Sequence, residues 1–177
     1  MTGNIANEGK YKFTWDFIGD IKSGRPNLGF TTRLEVYRLM QYTLRDALEQ
    51  EVGTKTADRI FYNAGKLAGT EFYRMVIVDA PDLNTFVKKC QDSLQAMGIG
   101  ILRIEKSDLE NLSFVLTVSE DLDCSGLPDI GFAVCTYDEG FIAGLLEAFS
   151  GKKFHVVEVD CWCTGDRTCR FTADLIR

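Results

Sequence analysis

A chain of 177 residues, 45% hydrophobic and 26% charged, has the composition of one globular domain able to bury a substantial core, which argues against intrinsic disorder. A net charge of −6, with no basic stripe or tail, argues against a general nucleic-acid binder, because neutralising phosphates takes clustered lysine and arginine. No apolar run approaches the roughly 20 residues that span a bilayer. The polar start MTGNIANEGKYK has no apolar signal core, so no membrane partner and a cytoplasmic location are expected. In that compartment six cysteines are free thiols or metal ligands sooner than a disulfide framework.

In chain order, residues 1–10 are small and polar and are expected to be flexible. Residues 11–21 alternate in part, with Tyr11, Phe13, Trp15 and Phe17 on one side, and predict a strand or docking segment. Residues 1–30 then form an N-terminal arm to a domain over 31–177, and the arm's aromatics suggest a homodimer. A helix is predicted over 33–52, capped by Thr31 or Thr32 and ended by Gly53, with an apolar stripe of Leu34, Tyr37, Met40, Leu44, Ala47 and Leu48. A second, over 57–76, carries a small-residue notch at Gly65 and Gly69. Glycine inside a helix costs about 1 kcal/mol relative to alanine, and close packing is the expected compensation. A third helix is predicted over 83–97.

Strands over 99–106 and 112–119 are predicted to pair as a hairpin, followed by a loop over 121–128 that contains Cys124. A fourth helix, with Gly140 and Gly144, starts near 130–135 and ends at Ser150-Gly151. Strands over 154–163 and 169–176 complete the chain. The order predicts an α+β fold, a mainly antiparallel sheet packed with a block of helices. The segments AGKLAG and EGFIAG resemble one another, but two short small-residue faces are weak evidence of duplication.

Four of the six cysteines, Cys135, Cys161, Cys163 and Cys169, fall in the last third, with Glu158 just ahead of three of them. Tetrahedral zinc sites draw four ligands from such residues. On an ideal strand Glu158 and Cys161 face opposite ways and share a metal only if the strand ends or bulges near Asp160. Cys161 and Cys163 do share a face. Spacing alone therefore leaves open a set with Glu158, a set of four thiolates that includes Cys163, and a group of buried free cysteines.

The segment from Val134 to Leu175 resembles the 4-vinyl reductase domain: a cysteine before a glycine-containing helix (Cys135, Gly140, Gly144), a strand ending E-x-x-C (Glu158, Cys161), then G-D-x-x-C-x-F (Gly165, Asp166, Cys169, Phe171). The upstream helix from Arg59 to Gly69 also fits. The resemblance covers about residues 33–177. It implies a fold shared with TRAPP vesicle-tethering subunits, aromatic-sensing regulators and haem-NO-binding domains. It also implies a structural zinc ion on Cys135, Glu158, Cys161 and Cys169, with Cys163 an extra thiol and Cys90 and Cys124 outside the site.

The same resemblance implies a pocket for a small apolar or aromatic ligand, for which Phe86, Phe114, Phe132, Tyr137 and Phe141 are the candidate lining residues. Phe114 and Phe86 fall near positions where phenol sensors grip the hydroxyl with a tryptophan and a histidine, which makes a phenol a poor candidate ligand here. A sensor or carrier domain without catalysis is the expected function, with a separate output protein as partner. A tetrapyrrole reductase or carrier and an assembly scaffold are the alternatives. No dinucleotide fingerprint or catalytic triad pattern supports an enzyme.

Overall fold

The structure is a computed structural model that describes residues 11–177. The expectation for residues 1–10 lies outside the described residues. The chain divides into two units at Thr31/Thr32. In the first, a 3₁₀ turn spans Trp15–Ile18 and a single helical turn, α1, spans Ile21–Gly24. No strand forms over residues 11–21, contrary to their partial alternation. Gly19 turns the chain at φ 73°, and the Asp20 carboxylate accepts the Ser23 N–H at 3.1 Å, so local turn chemistry overrides the pattern.

In the second unit, four helices, α2 (Leu34–Val52), α3 (Thr54–Phe72), α4 (Leu83–Ala96) and α5 (Thr136–Ser150), accompany four strands, β1 (Ile101–Asp108), β2 (Ser113–Ser119), β3 (Phe154–Asp160) and β4 (Cys169–Leu175). The strands form one antiparallel sheet in the order β1-β2-β4-β3. Directly paired residues share a face. Phe114, Leu116 and Val118 of β2 pair with Ala173, Phe171 and Cys169 of β4, and all six are buried. Phe171 pairs in turn with Glu158 of β3, which places that carboxylate on the same buried face.

The register of β3 slips between Glu158 and Asp160. Val159, 52% exposed, is the extra residue of this bulge. The slip restores Cys161 to the side Glu158 already occupies, and Cys161 is fully buried. After it the chain leaves the sheet for a 3₁₀ turn, Trp162–Thr164, so the expected strand end at Cys163 falls at Asp160 instead.

Helices α3 and α5 cross with their backbones in contact. A methyl group added at Gly65 or Gly69 would meet the carbonyls of Tyr137 and Phe141, and one at Gly140 or Gly144 would meet those of Tyr62 and Lys66. The two similar glycine segments are thus the two faces of one interface. Where α3 ends it passes into a π turn, Tyr73–Ile77, whose last carbonyl accepts a hydrogen bond from Lys89 at 3.0 Å.

Helix α2 departs from the expected amphipathic reading. Leu34, Met40 and Leu44 of the predicted inward stripe are exposed, and no residue of α2 is fully buried. Its inward face is instead polar: Tyr37, Arg38, Gln41 and Tyr42 all bond to the loop after β2. No helix among the described residues is long and apolar enough to cross a membrane.

Candidate metal centre and the adjoining cavity

The loop after β2 carries Cys124, and its shape is set by two aspartates. The Asp121 carboxylate accepts the N–H groups of Asp123 and Cys124 at 2.8 and 3.1 Å, a local turn that gives two buried donors a partner. Asp123 accepts the Tyr37 hydroxyl and the Gln41 amide, both at 2.7 Å, while its carbonyl accepts the Tyr42 hydroxyl. Arg38 donates to the carbonyls of Leu122 and Ser125, both at 2.9 Å. Helix α2 therefore clamps this loop and, with it, the position of Cys124.

Three further elements bring thiols to the same point. Cys135 caps α5, Cys161 follows the β3 bulge, and Cys169 opens β4. The Sγ atoms of Cys124, Cys135, Cys161 and Cys169 lie within 4.8 Å of one another, and all four residues are buried. A metal ion held tetrahedrally by four sulfurs at about 2.3 Å sets those sulfurs about 3.8 Å apart. The Cys135–Cys161 and Cys135–Cys169 separations are 3.9 and 3.8 Å. Cys124 and Cys169, at 3.0 Å, are closer than that edge. The four cysteines can hold a metal ion.

Without a metal, one sulfur carries the charge that the others solvate. Hydrogen bonds from Cys124, Cys135 and Cys169, helped by the Val134 N–H, hold the Cys161 thiol far below its ordinary value. Hydrogen bonding in the same cluster, led in each case by Cys124, holds the thiols of Cys135 and Cys169 far above theirs. A metal must displace those protons to bind all four as thiolates.

The residues singled out from the sequence distribute as follows. Cys135, Cys161 and Cys169 converge. Cys124, expected outside the site, is the fourth thiol. Glu158 lies beside the cluster: its Oε2 accepts the Cys135 N–H at 3.3 Å, its Oε1 is buried without a partner, and burial pushes its carboxyl up to about 8. Cys163 is buried outside the group of four, and its carbonyl accepts the N–H groups of Ile130 and Gly131 at 2.9 and 3.1 Å. His155 is exposed.

Next to the metal centre, between α4, α5 and the inward face of β1 and β2, lies a cavity of about 80 Å³. Phe86, Phe114 and Phe141 line it, with Cys90 of α4 and Leu116 and Val118 of β2. Phe132 and Tyr137 do not. Phe132 is 57% exposed at a surface cleft with Tyr42 and Arg45, and Tyr137 faces α2 and α3 across from Tyr37 and Phe61. Two carboxylates that sequence reasoning did not single out, Asp121 and Asp138, close one end of the cavity. The spacing that marks Asp138 is its place one turn into α5, three residues after the capping cysteine.

A four-stranded antiparallel sheet backed by this block of helices, with clustered thiols at the end of β3, is an arrangement with known counterparts. The profile of the vinyl-4-reductase domain matches residues 114–175. The uncharacterized protein MJ0150 of Methanocaldococcus jannaschii is 32% identical over 124 residues, 68% of this chain and 68% of that protein. The chain belongs to the vinyl-4-reductase domain family.

A vinyl-4-reductase family protein from Methanocaldococcus jannaschii has a similar fold, with a TM-score of 0.63 at 17% identity over 96% of this chain and 100% of that one. The phenol-responsive sensory domain of the transcription activator PoxR, solved with phenol, gives a TM-score of 0.62 at 15% identity over 82% of this chain and 76% of that one. A trafficking protein particle complex subunit 3 from Naegleria fowleri, covalently bound to palmitic acid, gives 0.61 at 9% identity over 81% and 95%. These likenesses establish a shared α+β fold.

Proposed function

We propose that this chain is a small-molecule-binding domain, a sensor or carrier, whose ligand is apolar or aromatic and whose fold is stapled by a structural zinc ion. The cavity beside the cysteine cluster carries the proposal: it is enclosed by aromatic and aliphatic side chains from two helices and two strands, the setting in which small apolar molecules bind. A related fold solved with phenol and another with palmitic acid support the same use of the space. About 80 Å³ suits a molecule of one ring or a short chain and is far too small for a tetrapyrrole, which weighs against the tetrapyrrole alternative.

For the metal, thiolates select soft or borderline ions, and four sulfurs near tetrahedral spacing favour zinc. Cys135, Cys161 and Cys169 serve as three ligands. The mutual proximity of the four thiols favours Cys124 as the fourth, with Glu158 alongside as an acceptor for the Cys135 N–H. The partnerless Oε1 of Glu158 supports a second set in which that carboxylate replaces Cys124. Either set fills four positions with protein atoms, so the ion's contribution is to pin β3, β4, α5 and the α2-clamped loop together rather than to activate water.

Toluene tests the cavity. It should bind the zinc-loaded protein and shift the ring resonances of Phe86, Phe114 and Phe141. Ile142→Phe, which fills the space from α5, should abolish these shifts while zinc content stays unchanged. Shifts that survive Ile142→Phe, or none in the native protein, would remove the cavity as a binding site.

A further inference from the structure

The apolar cavity has one end closed by two carboxylates. Asp121 is 4% exposed and Asp138 stands opposite it on α5; their carboxylates and the Cys135 sulfur lie within 4.8 Å of one another. Oδ1 of Asp121 is occupied by two backbone N–H groups. Oδ2 of Asp138 is buried and has no hydrogen-bond partner. A buried acceptor without a donor is costly, and among the described residues such atoms are few: besides Asp138 only Gln41 and Glu158 carry one. The charged groups that act most strongly on Asp138 are Asp123, Asp121, Cys169 and Glu158, all of the acidic kind, with no cation among them. A carboxylate pair facing an apolar cavity in such a neighbourhood is complementary to a small cation that has hydrogen-bond donors and an apolar body.

We infer that the ligand of this cavity is an apolar primary amine, its ammonium group donating to Asp138 Oδ2 and to Asp121 while its hydrocarbon part lies against Phe86, Phe114 and Phe141. The inference rests on the small-molecule reading above and adds the chemical class of the ligand. An ammonium has three donors and no acceptor, which fits an end built from carboxylate acceptors. The alternative donor, a hydroxyl, would satisfy Asp138 but leave the negative charge of the cluster unbalanced. Recognition is then opposite in sense to a site that holds a phenol hydroxyl with donor side chains.

Three probes of similar size separate these possibilities by calorimetry on the zinc-loaded protein: toluene, benzyl alcohol and benzylamine. Benzylamine should bind at least about tenfold more tightly than toluene, the range expected for a hydrogen bond to a charged group, with benzyl alcohol between them. Asp138→Asn keeps the shape and removes the charge; it should erase the amine's advantage and leave toluene affinity within about twofold. Toluene affinity and zinc content serve as the controls for folding. If toluene binds and benzylamine binds no more tightly, or if Asp138→Asn leaves the amine's affinity unchanged, the amine inference is wrong while the cavity remains a binding site. Equal affinities for benzyl alcohol and benzylamine would overturn the requirement for charge. If no probe binds, the small-molecule reading itself falls, and the amine with it.

Discussion

Replacing Gly140 with valine is expected to destabilise the zinc-loaded protein by about 3 kcal/mol or more, at the upper end of what overpacking costs. The reason is geometric. A Cβ at this position would meet the Tyr62 carbonyl and approach the Lys66 backbone nitrogen at 2.9 Å. Those are main-chain atoms of α3, held by helical hydrogen bonds, so no side chain can rotate away and the helices must separate. Separation also undoes the packing at Gly65, Gly69 and Gly144, which depends on the same axial distance, and strains the aromatic contact between Phe72 and Phe141, now 5.4 Å between centroids. For a chain of this size the loss corresponds to roughly 6–12 °C in Tm. A control on the same helix, Glu139→Gln, touches no part of the interface and should shift Tm far less. Urea unfolding of the two variants provides the comparison; equal midpoints would show that the backbones do not touch.

The second large effect is expected from Cys124→Ser. If Cys124 is the fourth thiolate, this change should cut zinc occupancy and lower Tm on the order of 8–16 °C. That range follows from about 4 kcal/mol of linkage when free metal exceeds its dissociation constant about 1,000-fold, and from the size-scaled Tm response. Chelation of the native protein should produce a comparable loss. Cys163→Ser, which alters a buried thiol outside the cluster, should leave zinc content intact. Glu158→Gln distinguishes the two ligand sets. With four thiolates as ligands the amide still accepts the Cys135 N–H and zinc is retained. With Glu158 as ligand, zinc is lost from Glu158→Gln and retained in Cys124→Ser.

Much of this architecture was legible in residue patterns. Four helices, two strand pairs and their antiparallel pairing follow from periodicity and punctuation, because each segment buries one face and ends at glycine or a polar turn. The bulge at Val159 was legible as a condition: Glu158 and Cys161 can reach one point only if the strand slips, and it does. Cys124 was not legible, since it sits in a loop without periodicity, on the far side of a turn built by the Asp121 carboxylate. The cue available was the D-L-D-C-S-G string, whose aspartates favour a fixed turn with a cysteine inside it.

Helix α2 misleads for a related reason. Its apolar stripe reads as a buried face, yet Tyr37, Arg38, Gln41 and Tyr42 recur at helical spacing too, and that polar stripe is the one with partners. Periodicity shows that a helix has two faces; only the loop's unsatisfied carbonyls and the buried Asp123 decide which one turns inward. The same limit applies to the ligand residues. Phe86, Phe114 and Phe141 reach the cavity because their elements enclose it, while Phe132 and Tyr137, equally aromatic, point to other surfaces.

The most direct test of a zinc-stapled, ligand-binding domain is native mass spectrometry of the protein purified from its own host without chelators, paired with elemental analysis. The expected species is the intact chain with one zinc ion and an additional small organic mass that is released on unfolding. A folded chain that carries neither would contradict the account in both parts, and zinc without any organic mass in every preparation would contradict the occupied cavity.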